Sequence, residues 1–125
     1  MNSRIIRADD SREYFFHEGC YINELCNLAA DNAVSIARAR VTPGQTTRWH
    51  YLKGTTERYV IIAGRGRVEL EGETASEVAA GDVVLIPAGK GQRIHNCGEQ
   101  DLVFLAVCTP RFCEDAYVDI EQFSR

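Results

Sequence analysis

Short apolar runs that alternate with polar positions, cut repeatedly by glycine, make up most of this chain. Residues 34–42 (Val-Ser-Ile-Ala-Arg-Ala-Arg-Val-Thr) alternate and predict a strand, closed by the turn pair Pro43-Gly44. Residues 49–52 and 57–63 predict a short and a longer strand, and Gly64-Arg65-Gly66 predicts a tight hairpin. Residues 67–71 set charged positions against Val68 and Leu70, the pattern of a half-exposed strand. A short strand is expected at 77–80. The run Val83-Val84-Leu85-Ile86 predicts a strand buried on both faces. Residues 92–96 and the near-continuous apolar stretch 102–109 complete the series, and Pro110 ends it. Upstream, the aromatics of 14–27 with Ile22 and Leu25 predict one or two strands around Gly19. Residues 1–12 read as a frayed arm. The acidic tail 112–125 carries Tyr117, Val118, Ile120 and Phe123, so it is expected to pack back as a short helix or strand. No helical period runs for ten residues. The pattern predicts an all-β sandwich or barrel.

Composition narrows what such a fold would do. A chain of 125 residues with 45% apolar positions predicts a single domain, 1–125, with one core. A net charge of −4 argues against a nucleic-acid partner, which needs a basic face. No stretch is apolar enough for a leader or a membrane span, so no membrane partner and a cytoplasmic location are expected. Five cysteines without a Cys-x-x-Cys pair predict free thiols. Cys108 and Cys113 are the only locally plausible pair.

The candidate chemistry gathers between Gly44 and Gly64. His50 and Glu57 fall on two strands expected to be neighbouring and antiparallel, where imidazole and carboxylate can meet inside a barrel. A carboxylate in such an interior is costly unless His50⁺, a metal or hydrogen bonds accompany it. Tyr59 shares the face of Glu57, either as packing or as a phenol aimed at a ligand. Leu52, Ile61 and Ile94 share the faces of the site residues and predict an apolar cavity wall. Cys108 is either a small core residue or a cavity residue. Trp49 and Tyr51 flank His50 and should point outward, toward the second sheet or a dimer partner. Arg38, Arg40, Arg48, Lys53 and Arg58 are either a solvated surface or hold an anionic ligand group.

Two spacings carry a family resemblance. Gly44, five residues, His50-Tyr51-Leu52, four residues, Glu57, six residues and Gly64 form the first. Gly81, five residues, Pro87-Ala88-Gly89, two residues, Gln92, three residues and Asn96 form the second. Together they resemble the two motifs of the cupin superfamily, with Leu52 and Gln92 standing where that pattern has histidines. The resemblance implies a double-stranded β-helix (a jelly-roll barrel) over about residues 20–110. It also implies a homodimer and one divalent metal ion at His50, Glu57 and Gln92. Gln92 offers at best a weak, uncharged ligand, otherwise a polar cavity group. His95, three residues beyond Gln92, should face out of the barrel.

Small cupins resemble sugar-phosphate isomerases, sugar epimerases and small-molecule dioxygenases. One clear histidine disfavours a dioxygenase, whose iron needs two with a carboxylate. The reading that remains is a small-molecule-binding cupin, a metal-assisted isomerase or epimerase of a small anionic, sugar-phosphate-like substrate. His50, Glu57 and Tyr59 would carry its chemistry. The alternatives are a non-catalytic ligand-binding or sensor cupin that has left metal chemistry, and a purely structural dimer block.

Overall fold

The computed structural model describes residues 1–121, so the expectation for Phe123 lies outside the described residues. Eleven strands follow in order: β1 (Tyr14–Phe16), β2 (Cys20–Cys26), β3 (Ser35–Val41), β4 (His50–Leu52), β5 (Thr56–Ala63), β6 (Arg65–Leu70), β7 (Ser76–Ala79), β8 (Val83–Ile86), β9 (Gln92–Asn96), β10 (Leu102–Thr109) and β11 (Tyr117–Asp119). Their pairs are antiparallel and form two sheets. One sheet has the order β1-β2-β3-β10-β5-β8 and the other β11-β4-β9-β6-β7.

The core lies between the sheets. Val41, Tyr59, Ile61, Val68, Ile86, Ile94, Leu102 and Phe104 fill it, each at most 5% exposed. Side chains of a strand alternate between faces, so each strand gives every second residue to this core. β10 shows it plainly: Leu102, Phe104, Ala106 and Cys108 are buried, and the residues between them are half-buried. The same rule corrects the expectation for 83–86. Val84 and Ile86 are buried, but Val83 and Leu85 are each 60% exposed. β8 is an edge strand of its sheet, and only its inner face meets the core.

Gly64 is a corner, not the predicted hairpin. It joins β5 of one sheet to β6 of the other, and these strands do not pair. Its φ of +84° suits glycine, and a Cβ there would lie 2.6 Å from the Asp101 carbonyl oxygen. The crossing also corrects the pairing expected for His50 and Glu57. β4 and β5 belong to different sheets, so the two residues approach across the barrel, not along a ladder.

Both flanks are tied down. Asp10–Arg12 form a 3₁₀ turn whose N-cap, Asp9, accepts from the Ser11 amide, so the arm is ordered at its inner end. Asn23 then donates to the Asp9 carbonyl at 3.1 Å, and Arg38 pairs with Asp10. After β10 the tail makes a second 3₁₀ turn, Glu114–Ala116, and then adds β11 beside β4. The tail thus packs back as both of the expected elements. All five cysteines are free thiols. No helix among the described residues is long and apolar enough to cross a membrane.

Candidate functional site

A chamber opens at one end of the barrel because the core strands change there from bulky to small or polar residues. On β3 the inward positions are Ser35, Ala37 and Ala39, and on β10 they are Ala106 and Cys108; all five line the chamber. Its volume is about 50 Å³. Leu52, Glu18, His50, Glu57 and the aromatic rings of Phe16, Tyr59 and Tyr117 complete the wall. Of the three predicted wall residues only Leu52 is there. Ile61 and Ile94 sit in the packed core, beside Leu102 and Phe104. A vestibule of about 420 Å³ adjoins the chamber and shares Tyr14, Phe16, Glu24, Asn27 and Phe112 with it.

His50 is 1% exposed and both ring nitrogens are engaged. Nδ1 lies 2.7 Å from the Arg48 carbonyl oxygen, an acceptor only, so Nδ1 carries a proton. Nε2 lies 3.1 Å from Oε1 of Glu18. A nitrogen and a carboxyl oxygen at that distance share one proton, held by the imidazole or by the acid. Glu18, not Glu57, is thus the partner of His50. The β1–β2 turn delivers it. The Gly19 amide donates to Phe16 at 2.9 Å to close that turn, and the Arg48 amide donates to the Glu18 carbonyl at 2.8 Å. Tyr117 of β11 stacks on the imidazole, with centroids 4.9 Å apart and planes 18° from parallel.

Glu57 and Gln92 form a second cluster. Gln92 donates Nε2 to Oε1 of Glu57 at 3.0 Å, and its amide oxygen accepts from the Tyr59 hydroxyl. The Cys108 thiol lies 3.8 Å from the other Glu57 oxygen. Burial pushes the Glu57 carboxyl up to about 7, and the charge of Glu18 adds to this; His50, Gln92 and Cys108 oppose it. Burial, with the charge of Glu57 behind it, also raises the Tyr59 phenol far above its ordinary range. For Tyr59 the sequence leaves packing and a phenol aimed at a ligand both open. The structure shows the hydroxyl committed to Gln92, so Tyr59 orients that amide and offers the chamber only its ring.

The metal set expected at His50, Glu57 and Gln92 does not fit an ion. Leu52 supplies no donor, and the Gln92 oxygen is taken by Tyr59 while its NH₂ is turned to Glu57. Nε2 of His50 faces Glu18. Among the described residues no three His, Cys, Asp or Glu side chains are placed to hold a metal. His95 faces out of the barrel as expected and bonds Thr46 through Nδ1 at 2.7 Å.

The basic residues read as either a solvated surface or an anion-holding group lie away from the chamber and the vestibule. Arg38 pairs with Asp10, Arg40 with Glu13 and Asp101, and Arg48 with Asp119. Arg58 donates to Thr109 at 2.6 Å, and neither it nor Lys53 lines the chamber or the vestibule. Trp49 is half-buried, with the Arg93 guanidinium 4.6 Å above its ring.

Glu18 and Tyr117 are the chamber residues that motif spacing missed. Neither lies in a motif. Both reach the chamber because flanking segments fold over the barrel mouth, which no local pattern records.

Comparison with known proteins agrees with this architecture. Residues 37–108 match the Cupin domain family. Over 119 residues the chain is 31% identical to an uncharacterized protein of Methanocaldococcus jannaschii, covering 92% of this chain and 94% of that one. It is 29% identical over 104 residues to an oxalate decarboxylase of Bacillus subtilis, covering 80% of this chain but only 26% of that protein. A solved structure of a predicted oxalate decarboxylase from Thermotoga maritima superposes with a TM-score of 0.76 at 26% identity, covering 86% of this chain and 99% of that one. With two facing antiparallel sheets and both motif spacings in place, this chain belongs to the cupin family and folds as its double-stranded β-helix.

Proposed function

We propose that the chamber binds an uncharged, hydroxyl- or carbonyl-bearing part of a small molecule and moves protons on it. The reaction class is an isomerisation or epimerisation. Glu57 carries the reading: a buried carboxyl that titrates at about 7 faces the same small chamber as a second, separately held proton at His50–Glu18. Enolisation of a hydroxyketone needs a base at carbon and an acid at oxygen. Ionised Glu57 removes the C–H proton. The His50–Glu18 proton is donated to the developing enolate oxygen. Glu57 then gives its proton back to carbon, at the neighbouring carbon for an isomerisation, as His50–Glu18 takes a proton from the hydroxyl that becomes the product carbonyl. Tyr59 and Gln92 fix the Glu57 carboxylate through one side, which leaves its other oxygen beside only the Cys108 thiol. No step runs through a metal, because the donor atoms are turned to one another.

The chamber's charge argues for the uncharged group. Three carboxyls, Glu18, Glu24 and Glu57, line it and no Lys or Arg does. Oxalate, named for two of the relatives, is a dianion, and it would meet like charge there. A non-catalytic binding role is the second reading, favoured by Leu52 and Gln92 at positions where histidine would give a reactive centre.

The test is hydrogen–deuterium exchange at carbon, followed by NMR in D₂O near neutral pH with dihydroxyacetone and hydroxyacetone as probes. The proposal expects exchange by the wild type and a rate lower by roughly 10²-fold or more for Glu57→Gln. Glu57→Gln keeps an acceptor oxygen for Gln92, so the fold is retained. Exchange at the wild-type rate in that variant, or none by the wild type, overturns the enzyme reading and leaves binding.

A further inference from the structure

Two buried side-chain polar atoms have no hydrogen-bond partner among the described residues: the Arg111 Nε and the Tyr117 hydroxyl. Buried polar atoms are nearly always paired, and leaving one unpaired is costly. Both of these atoms belong to the segment after β10, and their residues line the two adjoining cavities. Tyr117 lines the chamber and Arg111 the vestibule.

Arg111 is also distinct from the other arginines near the barrel mouth. Its Nη1 donates to Asn27 at 2.9 Å, and its amide donates to the Asn32 carbonyl at 3.1 Å. It makes no ion pair within 4 Å among the described residues, although Glu24 and Glu114 line the same vestibule. Glu24 instead accepts from Asn27 at 3.2 Å. Asn27 therefore anchors one corner of the guanidinium, while the Nε–Nη2 edge carries no protein acceptor. That edge is the one that takes a carboxylate through two parallel bonds. Between Arg111 and the chamber stand the rings of Phe16 and Phe112, 6.4 Å apart and edge to face, with Phe16 in turn edge to face with Tyr117 at 5.2 Å.

We infer that Arg111 and Tyr117 are ligand-binding residues, and that the ligand is an elongated monocarboxylic acid with an apolar or aromatic middle. Its carboxylate sits on the Nε–Nη2 edge of Arg111 in the vestibule. Its uncharged oxygen reaches past the Tyr117 hydroxyl into the chamber. The inference rests on the chamber being the ligand site. It also restores an arginine-held anionic group, at a residue outside those the sequence pointed to. A carboxylate on Arg111 and an uncharged head in the chamber satisfy both orphaned atoms. The ligand's charge then sits on the arginine of a vestibule that Glu24 and Glu114 also line, and away from Glu18 and Glu57.

The experiment titrates the full chain with 3-(4-hydroxyphenyl)propionate and with its primary amide, read by NMR shifts of the protein. The wild type is expected to bind the acid at least about tenfold more tightly than the amide, the value of one charge-assisted pair. Arg111→Gln removes that preference, because the acid loses more affinity than the amide. Tyr117→Phe, which keeps the ring on His50, weakens both probes by a similar factor. Equal binding of acid and amide by the wild type, or an undiminished preference in Arg111→Gln, overturns the assignment of Arg111. Tyr117→Phe without effect overturns that of Tyr117. Absence of binding by either probe at millimolar concentration overturns the inference as a whole, while the carbon exchange assay decides separately whether the chamber reading stands.

Discussion

The two ends of the barrel are built from the same strands and solve opposite problems. On β5 the inward residues run Glu57, Tyr59, Ile61; on β9 they run Gln92, Ile94, Asn96, the last with its amide bonded to the Val41 and Gln100 carbonyls; on β10 they run Cys108, Ala106, Phe104, Leu102. At the Gly64 end, large aliphatic and aromatic side chains meet and exclude space. At the His50 end, the same strands present small or polar groups, and a chamber remains. The change takes two residues along any strand. A site of this kind is a region where the core was left unfilled and its polar atoms were paired with each other. Apolar packing is therefore concentrated at one end and buried titratable groups at the other.

Breaking the packed end should cost most. Gly64→Ala forces a Cβ into the Asp101 carbonyl at a positive φ. The expected loss is at least about 3 kcal/mol in denaturant unfolding, above the cost of the backbone conformation alone. Phe104→Ala removes the large ring at the boundary where the packed core meets the chamber and should cost roughly 3–5 kcal/mol by the same measurement. Ala106→Val, one step along the same strand, extends into the chamber and should cost less than about 1.5 kcal/mol while abolishing binding of chamber ligands. If Ala106→Val proves as damaging as Phe104→Ala, the two ends do not differ in the way described.

Glu57→Gln sharpens the contrast in the opposite direction. The Glu57 carboxyl is raised from its ordinary 4.5 to about 7, so the folded state holds a proton that the unfolded chain releases. Below pH 4.5 both states are protonated and no penalty exists. Between 4.5 and 7 the folded state binds more protons, and stability falls as pH rises. Above that window the loss is complete, at roughly 3 kcal/mol. Glu57→Gln should therefore be more stable than the wild type at pH 8 and should lack the decline between pH 5 and 7. Equal pH dependence in the two proteins would show that Glu57 is not held at a cost. A smaller effect is expected at the flank. Arg40, which pairs with Glu13 at 2.7 Å and Asp101 at 3.1 Å and lies 4.3 Å from the Tyr21 ring, is partly exposed, so Arg40→Ala should cost about 1 kcal/mol.

The strands were legible in the sequence because alternation and glycine spacing report on local geometry, but the Gly64 corner and the place of Ile61 and Ile94 in the packed core were not. The strands, the two motif spacings and the outward turn of His95 follow from a period of two. The run 83–86 misled because four consecutive apolar residues carry no period, and an edge strand with an exposed apolar face looks the same as a buried one. At the chamber end, position was legible and partnership was not. His50, Glu57 and Gln92 converge on one end of the barrel, but the pairing of His50 with Glu18 depends on a turn that folds over the mouth. The arginines stayed undecided for a similar reason. Charge along a strand does not say which acidic residue of an arm or tail will arrive to neutralise it, as Asp10, Glu13 and Asp119 do.

The most direct measurement is a ¹³C NMR titration of the Glu57 side-chain carboxyl in the wild-type protein, assigned by its disappearance in Glu57→Gln. The chamber described here predicts a midpoint near 7, set by burial and by the nearby Glu18. A midpoint near 4.5, the ordinary value for glutamate, would mean that Glu57 is solvated and ionised throughout. It would then be no neutral-pH acid–base group, and the proton-transfer reading of this site would fail.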